Sequence, residues 1–191
     1  MYGKDRDGIG RPVLVNSQGM PIMESNLADA AMEGRLFHGA SQAVVTTTAA
    51  LATTWTGLGV GNPAGSGKLY KFHEFGWAQG AVMNTVGPIG VMAATVGDMA
   101  QAITPQCARF GYKTTTALVD NGATIGTPVL LRVGGASMEG ALSTVPSLTA
   151  NVMRLDGGII IPPGYALLSY TMAIQTSSIM FYFVWEEIDV P

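Results

Sequence analysis

A few short runs in this chain carry side chains whose type and spacing invite a chemical reading. The first is Gly61-Asn62-Pro63-Ala64-Gly65-Ser66-Gly67-Lys68, which has the look of a phosphate-cradling loop. Such a loop needs four residues between its outer glycines and a Ser or Thr after the lysine to hold magnesium. Here five residues intervene and Leu69 follows Lys68. The flanking sequence also reads as a strand, so no helix N-terminus stands behind the loop to offer N–H groups to phosphate. The run therefore reads as a tight surface turn, with Lys68 as a solvating edge charge.

His73-Glu74 opens like a zinc-protease helix, but position 77 is Trp where the second histidine belongs. Alternation along a strand also predicts that these two neighbours point to opposite faces. His38 is the one other histidine, and two histidines without a carboxylate cluster give no metal site. Glu186-Glu187 suggests a paired-carboxylate acid and base, yet on a strand these side chains too diverge. Cys107 is the single cysteine; it excludes an intrachain disulfide and a cysteine zinc site, and reads as a small buried hydrophobe. No Gly-x-Ser-x-Gly elbow is present. These failures of spacing and strand geometry predict a non-enzymatic chain that needs no metal, nucleotide or other cofactor.

The elements that would position these residues read as β. From about Ala40 onward, apolar and Thr-rich runs are punctuated by Gly and Pro, the pattern of a sandwich or barrel. The expected strands are 43–48, 68–77, 89–95, 114–119, 128–133, 151–155, 165–174 and 178–188. The last is the clearest, with Ile179, Phe181, Phe183 and Trp185 on one face and Met180, Tyr182, Val184 and Glu186 on the other. Apolar residues on both faces predict a central strand, or one whose outer face is covered. Asp120-Asn121-Gly122 predicts a hairpin turn and Pro163-Gly164 a type II turn. A short helix is expected over 98–103, stopped before Pro105. About eight strands in 150 residues predict a jelly-roll-like all-β fold.

Residues 1–35 are different. They hold nine of the 23 charges and lack a core-forming pattern. A short strand from Arg11 to Gly19 and a brief helix within 24–33, capped by Ser25 or Asn26, are expected there. We read 1–39 as an N-terminal arm and 40–191 as the β domain. The arm is expected to dock on a neighbouring subunit or a larger shell through Pro12-Val13-Leu14-Val15, adding a strand to an open sheet edge. Removing 1–35 is then expected to leave a folded domain.

Composition narrows the partners. Charged residues make up 12% of the chain, about half the usual share, while hydrophobic residues make up an ordinary 48%. So little charge predicts a surface hidden against other subunits, hence a homo-oligomer. A net charge of −3 leaves no basic footprint for nucleic acid. The uncharged stretches 75–97 and 157–185 are broken by Gly and Pro, so no membrane span is expected. The charged N-terminus is unlike a secretory leader. The expected protein is soluble and not secreted.

Four phrases carry a family resemblance. The turn 62–69, the hairpin Gly157-Gly158-Ile159-Ile160-Ile161-Pro162-Pro163-Gly164-Tyr165-Ala166, the ending Phe183-Val184-Trp185-Glu186-Glu187-Ile188 and the opening strand 11–19 resemble parts of small all-β structural proteins of tailed bacteriophages. The resemblance implies a jelly-roll-like virion component, often trimeric, of the head-decoration or cement kind. Its implied partners are further copies of itself and the major capsid protein or another virion protein, and its place is the virion, assembled in the host cytoplasm. Arg11, Val13, Val15, Trp185 and Glu187 are the expected interface residues. The alternative is a tail, fibre or receptor-binding module. It would show aromatics on loop tips, with Trp55, Tyr112 and Tyr165 as candidates; Trp55 also reads as a core residue.

Overall fold

A computed structural model describes residues 2–4, 10–12, 26–80, 85–136 and 150–190. In chain order the elements are β1 (Tyr2–Lys4), β2 (Gly10–Pro12), α1 (Asn26–Met32), β3 (Leu36–Ala40), β4 (Val45–Thr47), β5 (Thr54–Gly61), β6 (Lys68–Gln79) and β7 (Pro88–Thr95). They continue with β8 (Gln106–Cys107), β9 (Leu118–Thr124), β10 (Val129–Ala136), β11 (Ala150–Ile161), β12 (Tyr165–Thr171) and β13 (Gln175–Asp189). Two antiparallel sheets pack as a sandwich. One has the order β10-β7-β12-β5-β9; the other runs β11-β6-β13-β3-β8, with β4 also pairing β13. β1 and β2 pair only with each other, as a separate two-stranded sheet, among the described strands.

β13 shows why the sandwich holds together. Its inward residues Ile179, Phe181, Phe183 and Trp185 are buried between the sheets with Phe72 and Phe75 of β6. Phe75 lies 4.9 Å from Phe183 and stacks on Phe181 at 5.7 Å, while Phe72 meets Phe183 edge-on at 5.7 Å. Such pairs add about 0.5–1.5 kcal/mol each beyond the area they bury. The other face of β13 is covered as well: Val184 and Tyr182 pack with Ala30 and Leu27 of α1 and with Leu36. A third cluster lies outside the five-stranded sheet, where Met99 and Ile125 cover Trp55, Met92, Leu168 and Tyr170. Both sheets are thus partly closed on their outer faces, which is how a chain so poor in charge keeps its apolar residues from water.

Several expectations change. Among the described residues the two sheets hold eleven strands, not about eight. β3 falls almost wholly within the expected arm; glycines at 57, 59 and 61 break the alternation of β5; and β8 has two residues. No helix forms over 98–103, where the chain makes a turn at Gly97-Asp98 and then crosses the sheet face. Tertiary partners decide this: Met99 is buried in the outer cluster, and Ala100 N–H donates to Asp120 Oδ2 at 2.7 Å. The expected strand over 114–119 begins only at Leu118, and Asp120-Asn121-Gly122 lies inside β9 instead of forming a hairpin turn. Asp120 is buried and accepts the N–H groups of Asn121 at 2.8 Å and Gly122 at 3.3 Å, opposite a register shift between Thr56 and Gly59 of β5. The turn chemistry is satisfied within a bulge. The turn at 163–164 does form, with Tyr165 N–H donating to Pro162 at 3.3 Å.

The supposed arm enters the body early. Residues 36–40 pair with the middle of β13, and Ala30 is fully buried against the sheet. The described part of the N-terminal region from Asn26 is therefore part of the packed body, and removing 1–35 would strip a layer from it.

Candidate interaction surfaces

The end of β13 collects the ionisable residues. Glu186 points outward from the six-stranded sheet but is buried. Its carboxylate meets the Arg35 guanidinium, with His73 Nε2 at 3.4 Å and Lys71 Nζ at 3.6 Å. Burial, then the neighbouring Lys71 charge, holds the His73 pKa below its ordinary value, so this cation count is really Arg35 and Lys71 around one anion. The geometry overturns one expectation. Phe72 and Phe75 face the core, so His73 and Glu74 between them share the outer face. The register shift opposite Val184 and Trp185 makes this possible, because a bulge adds one residue and breaks the alternation. Glu74 there meets the Tyr182 hydroxyl at 3.4 Å, not the ion site of a metalloprotease.

Glu187 points the other way. The Thr115 hydroxyl donates to its Oε1, and Trp185 Nε1 lies 3.5 Å from the same oxygen. Burial raises the Glu187 pKa, while these donors pull it back. Beside it, burial and the Glu187 charge push the Tyr70 hydroxyl up to about 12. Glu186 and Glu187 thus diverge into two separate environments. Trp185 lies wholly inside the sandwich, stacked on Phe37 at 6.1 Å, and offers no surface to a partner. Arg11 falls in the β1–β2 pair, and Val13 and Val15 lie outside the described residues. Of the expected interface residues, Trp185 and Glu187 meet each other inside the sandwich and not at its surface.

Lys68 and its turn are held by side-chain bonds. Asn62 is buried and its side-chain amide donates to the carbonyls of Lys68 at 2.8 Å and Ile161 at 3.1 Å. The Ser66 hydroxyl donates to Asn62 Oδ1 at 2.5 Å. One side chain thereby ties β5, β6 and β11 at the rim, and Lys68 pairs with Asp189. Among the described residues, no three His, Cys, Asp or Glu side chains are grouped to hold a metal ion.

Two surfaces remain, which the sequence reasoning touched only through Tyr165 and Tyr112. β10 and β11 are the outer strands of their sheets on one flank, where Arg132 Nη1 reaches the Arg154 carbonyl at 3.4 Å. Along β10, Val129, Leu130, Leu131 and Val133 are all exposed, with Arg132 as the one charge. Behind them a cleft of about 530 Å³ is lined by Ala93, Leu131, Arg132, Ile159, Ile161 and Tyr165. The sequence 128–133 reads as an ordinary strand; only the sheet order leaves its far side without a described neighbour.

The second surface is the loop Arg109-Phe110-Gly111-Tyr112-Lys113. Arg109 lies over the Tyr112 ring at 3.9 Å and donates to the Met32 carbonyl at 3.2 Å, and Lys113 donates to the Glu33 carbonyl at 3.0 Å. Two cations thus cap the C-terminal end of α1, which lacks basic residues of its own in its last turn. Phe110 is 85% exposed at the tip. Of the three aromatics considered for loop tips, Tyr112 and Tyr165 are about half exposed, whereas Trp55 is core, its Nε1 donating to the Ser169 carbonyl at 3.0 Å. In comparisons with known proteins, no family model, no curated protein and no solved structure matches this chain.

Proposed function

We propose that this chain is a non-enzymatic structural component of a tailed-phage virion, a decoration or cement protein that binds the head and stabilises it through subunit contacts. The observation that carries the reading is the exposed apolar strand β10, which has no outer neighbour among the described residues, on a chain with few charges elsewhere to solvate a monomer. A protein of this kind works by burial: bridging adjacent capsomers adds apolar area that internal pressure must separate. The partners are other copies of the chain, three in the arrangement that the resemblance implies, and the major capsid protein. Assembly takes place in the host cytoplasm and the protein then resides in the virion. In favour of a jelly-roll-like topology, β5, β6 and β7 alternate between the two sheets, and β12 returns to lie between β5 and β7.

The Phe110 loop favours a second reading, a tail, fibre or receptor-binding module, because an exposed aromatic between two cations suits a host-surface ligand. Immunogold labelling of purified particles separates the readings. Label over the head at many copies supports decoration; label confined to the tail supports the alternative. Particles without the protein overturn both.

A further inference from the structure

We infer that Asn121 is a site of self-modification, at which its side chain loses ammonia and becomes a carboxylate, with Asp120 as the base. The chain has six asparagines, and Asn121 is the one followed by glycine. The reaction needs the next backbone nitrogen to reach the amide carbon, so the following residue decides it. Asn62 precedes a proline that has no N–H, and Asn26 and Asn151 precede Leu27 and Val152, whose side chains crowd that nitrogen. Asn121 is exposed, and no described group holds its side-chain amide. The ladder also opens there. Pairing with β5 runs from Leu118 to Asp120 and resumes at Gly122, which leaves Asn121 as the residue of β9 without a partner opposite. The unpaired residue of a bulge is released from the ladder that would otherwise fix its backbone.

Asp120 is buried and fixed. Its Oδ2 accepts the Ala100 N–H at 2.7 Å, and its Oδ1 accepts the N–H groups of Asn121 at 2.8 Å and Gly122 at 3.3 Å. The Gly122 N–H therefore points at a carboxylate oxygen close enough to take its proton. As Gly122 N bonds to Asn121 Cγ, Oδ1 takes the proton from that nitrogen and passes it to the side-chain NH2, which leaves as ammonia. The cyclic imide that remains takes up one water. Opening at the side-chain carbonyl gives Asp at 121; opening at the main-chain carbonyl gives isoaspartate, with one extra methylene in the backbone of β9. Either product makes the net charge of −3 one unit more negative, and isoaspartate loosens β9 where Ala123 pairs with Trp55. Packing does not demand glycine at 122: an added Cβ would meet Thr56 Cγ2 at 3.5 Å and the Trp55 carbonyl oxygen at 3.7 Å, both ordinary contacts. What Gly122 contributes is an uncrowded nitrogen. The site goes beyond the virion reading and stands or falls separately from it.

Intact mass and peptide mapping of the full chain, stored at neutral pH, read the reaction directly. The wild type is expected to gain about 1 Da with time, in the peptide that holds residue 121, as a mixture of Asp and isoaspartate forms. Gly122→Ala is expected to melt as the wild type does and to slow the gain at least about tenfold, because its methyl group crowds the nitrogen. A synthetic peptide of residues 116–126 separates a positioned base from bare sequence. The folded chain is expected to react at least as fast as the peptide, and its rate to stay flat between about pH 6 and pH 8, where the peptide's rises with hydroxide. Asp120→Asn is expected to slow the reaction and restore the dependence on hydroxide; if that variant does not melt cooperatively, the wild-type pH profile carries the test. A folded chain slower than the peptide, or one whose rate climbs with pH as the peptide's does, overturns Asp120 as the base. A wild type that gains no mass or gains it only elsewhere overturns the site, and so does a Gly122→Ala variant that reacts as fast as wild type. Particle labelling decides the virion reading in every case.

Discussion

Replacing Gly97 by Ala tests how the segment after β7 is pinned across the sheet. Gly97 has φ +57°, and a Cβ there would stand 1.8 Å from the Thr124 carbonyl oxygen and 3.0 Å from the Ile125 Cα. The contact is backbone on both sides, so no rotamer change relieves it. The same junction holds two hydrogen bonds, Asp98 N–H to the Thr124 carbonyl at 3.1 Å and Thr124 N–H to Asp98 Oδ1 at 2.5 Å. A left-handed conformation costs an L-residue about 1–2 kcal/mol, and overpacking against a fixed neighbour adds about 1–3 kcal/mol. The expected loss is about 2–5 kcal/mol, a fall in Tm of about 5–15 °C for a chain of this size. Gly65→Ala is the internal control: its φ is +78°, yet nothing lies within 4 Å of the added carbon. It is expected to lose about 1–2 kcal/mol, the conformational part alone. Urea unfolding followed by tryptophan fluorescence, with equal m-values, measures the difference. Equal losses in the two variants would refute the close approach of residue 97 to β9 and with it the account of how Met99 and Ala100 are held.

Other perturbations follow from the same contacts. Asn62→Ala leaves the Lys68 and Ile161 carbonyls without their donor; a loss of about 2–4 kcal/mol is expected by urea unfolding. Glu187 has a folded-state pKa raised above its ordinary value of 4.5, so the folded state binds more protons and stability falls as pH rises from that value through the raised one. Glu187→Gln keeps an acceptor for Thr115 and removes this penalty: it is expected to melt higher than wild type at pH 7, with the gap closing below pH 4.5, in a series of thermal melts. Deleting 1–35 takes Ala30 and the Arg35 partner of buried Glu186, with an expected loss of about 3–5 kcal/mol in the same unfolding assay.

Local pattern was enough for the β class and for the strand that matters most. In β13 the alternation is unbroken from Ile179 to Trp185, so burial of one face and covering of the other could be read directly. The divergence of Glu186 from Glu187 follows from the same period of two. The turns at Pro163-Gly164 and within Gly61–Lys68 were legible because their chemistry is local. What sequence could not reveal depends on partners distant along the chain. Asp120-Asn121-Gly122 has turn chemistry, but pairing with β5 absorbs it into a bulge. His73 and Glu74 share a face only because β6 slips register against β13. Met99 leaves a helix-like run to cover Trp55 and Met92. Exposed β10 is the plainest case: Val129 to Val133 has the composition of an interior strand, and strand order, a property of the whole sheet, puts it at the edge among the described strands. Strand propensity and alternation are set by near neighbours, whereas edge position, bulges and exposure are set by which strands pair, and that is decided only when the sandwich closes.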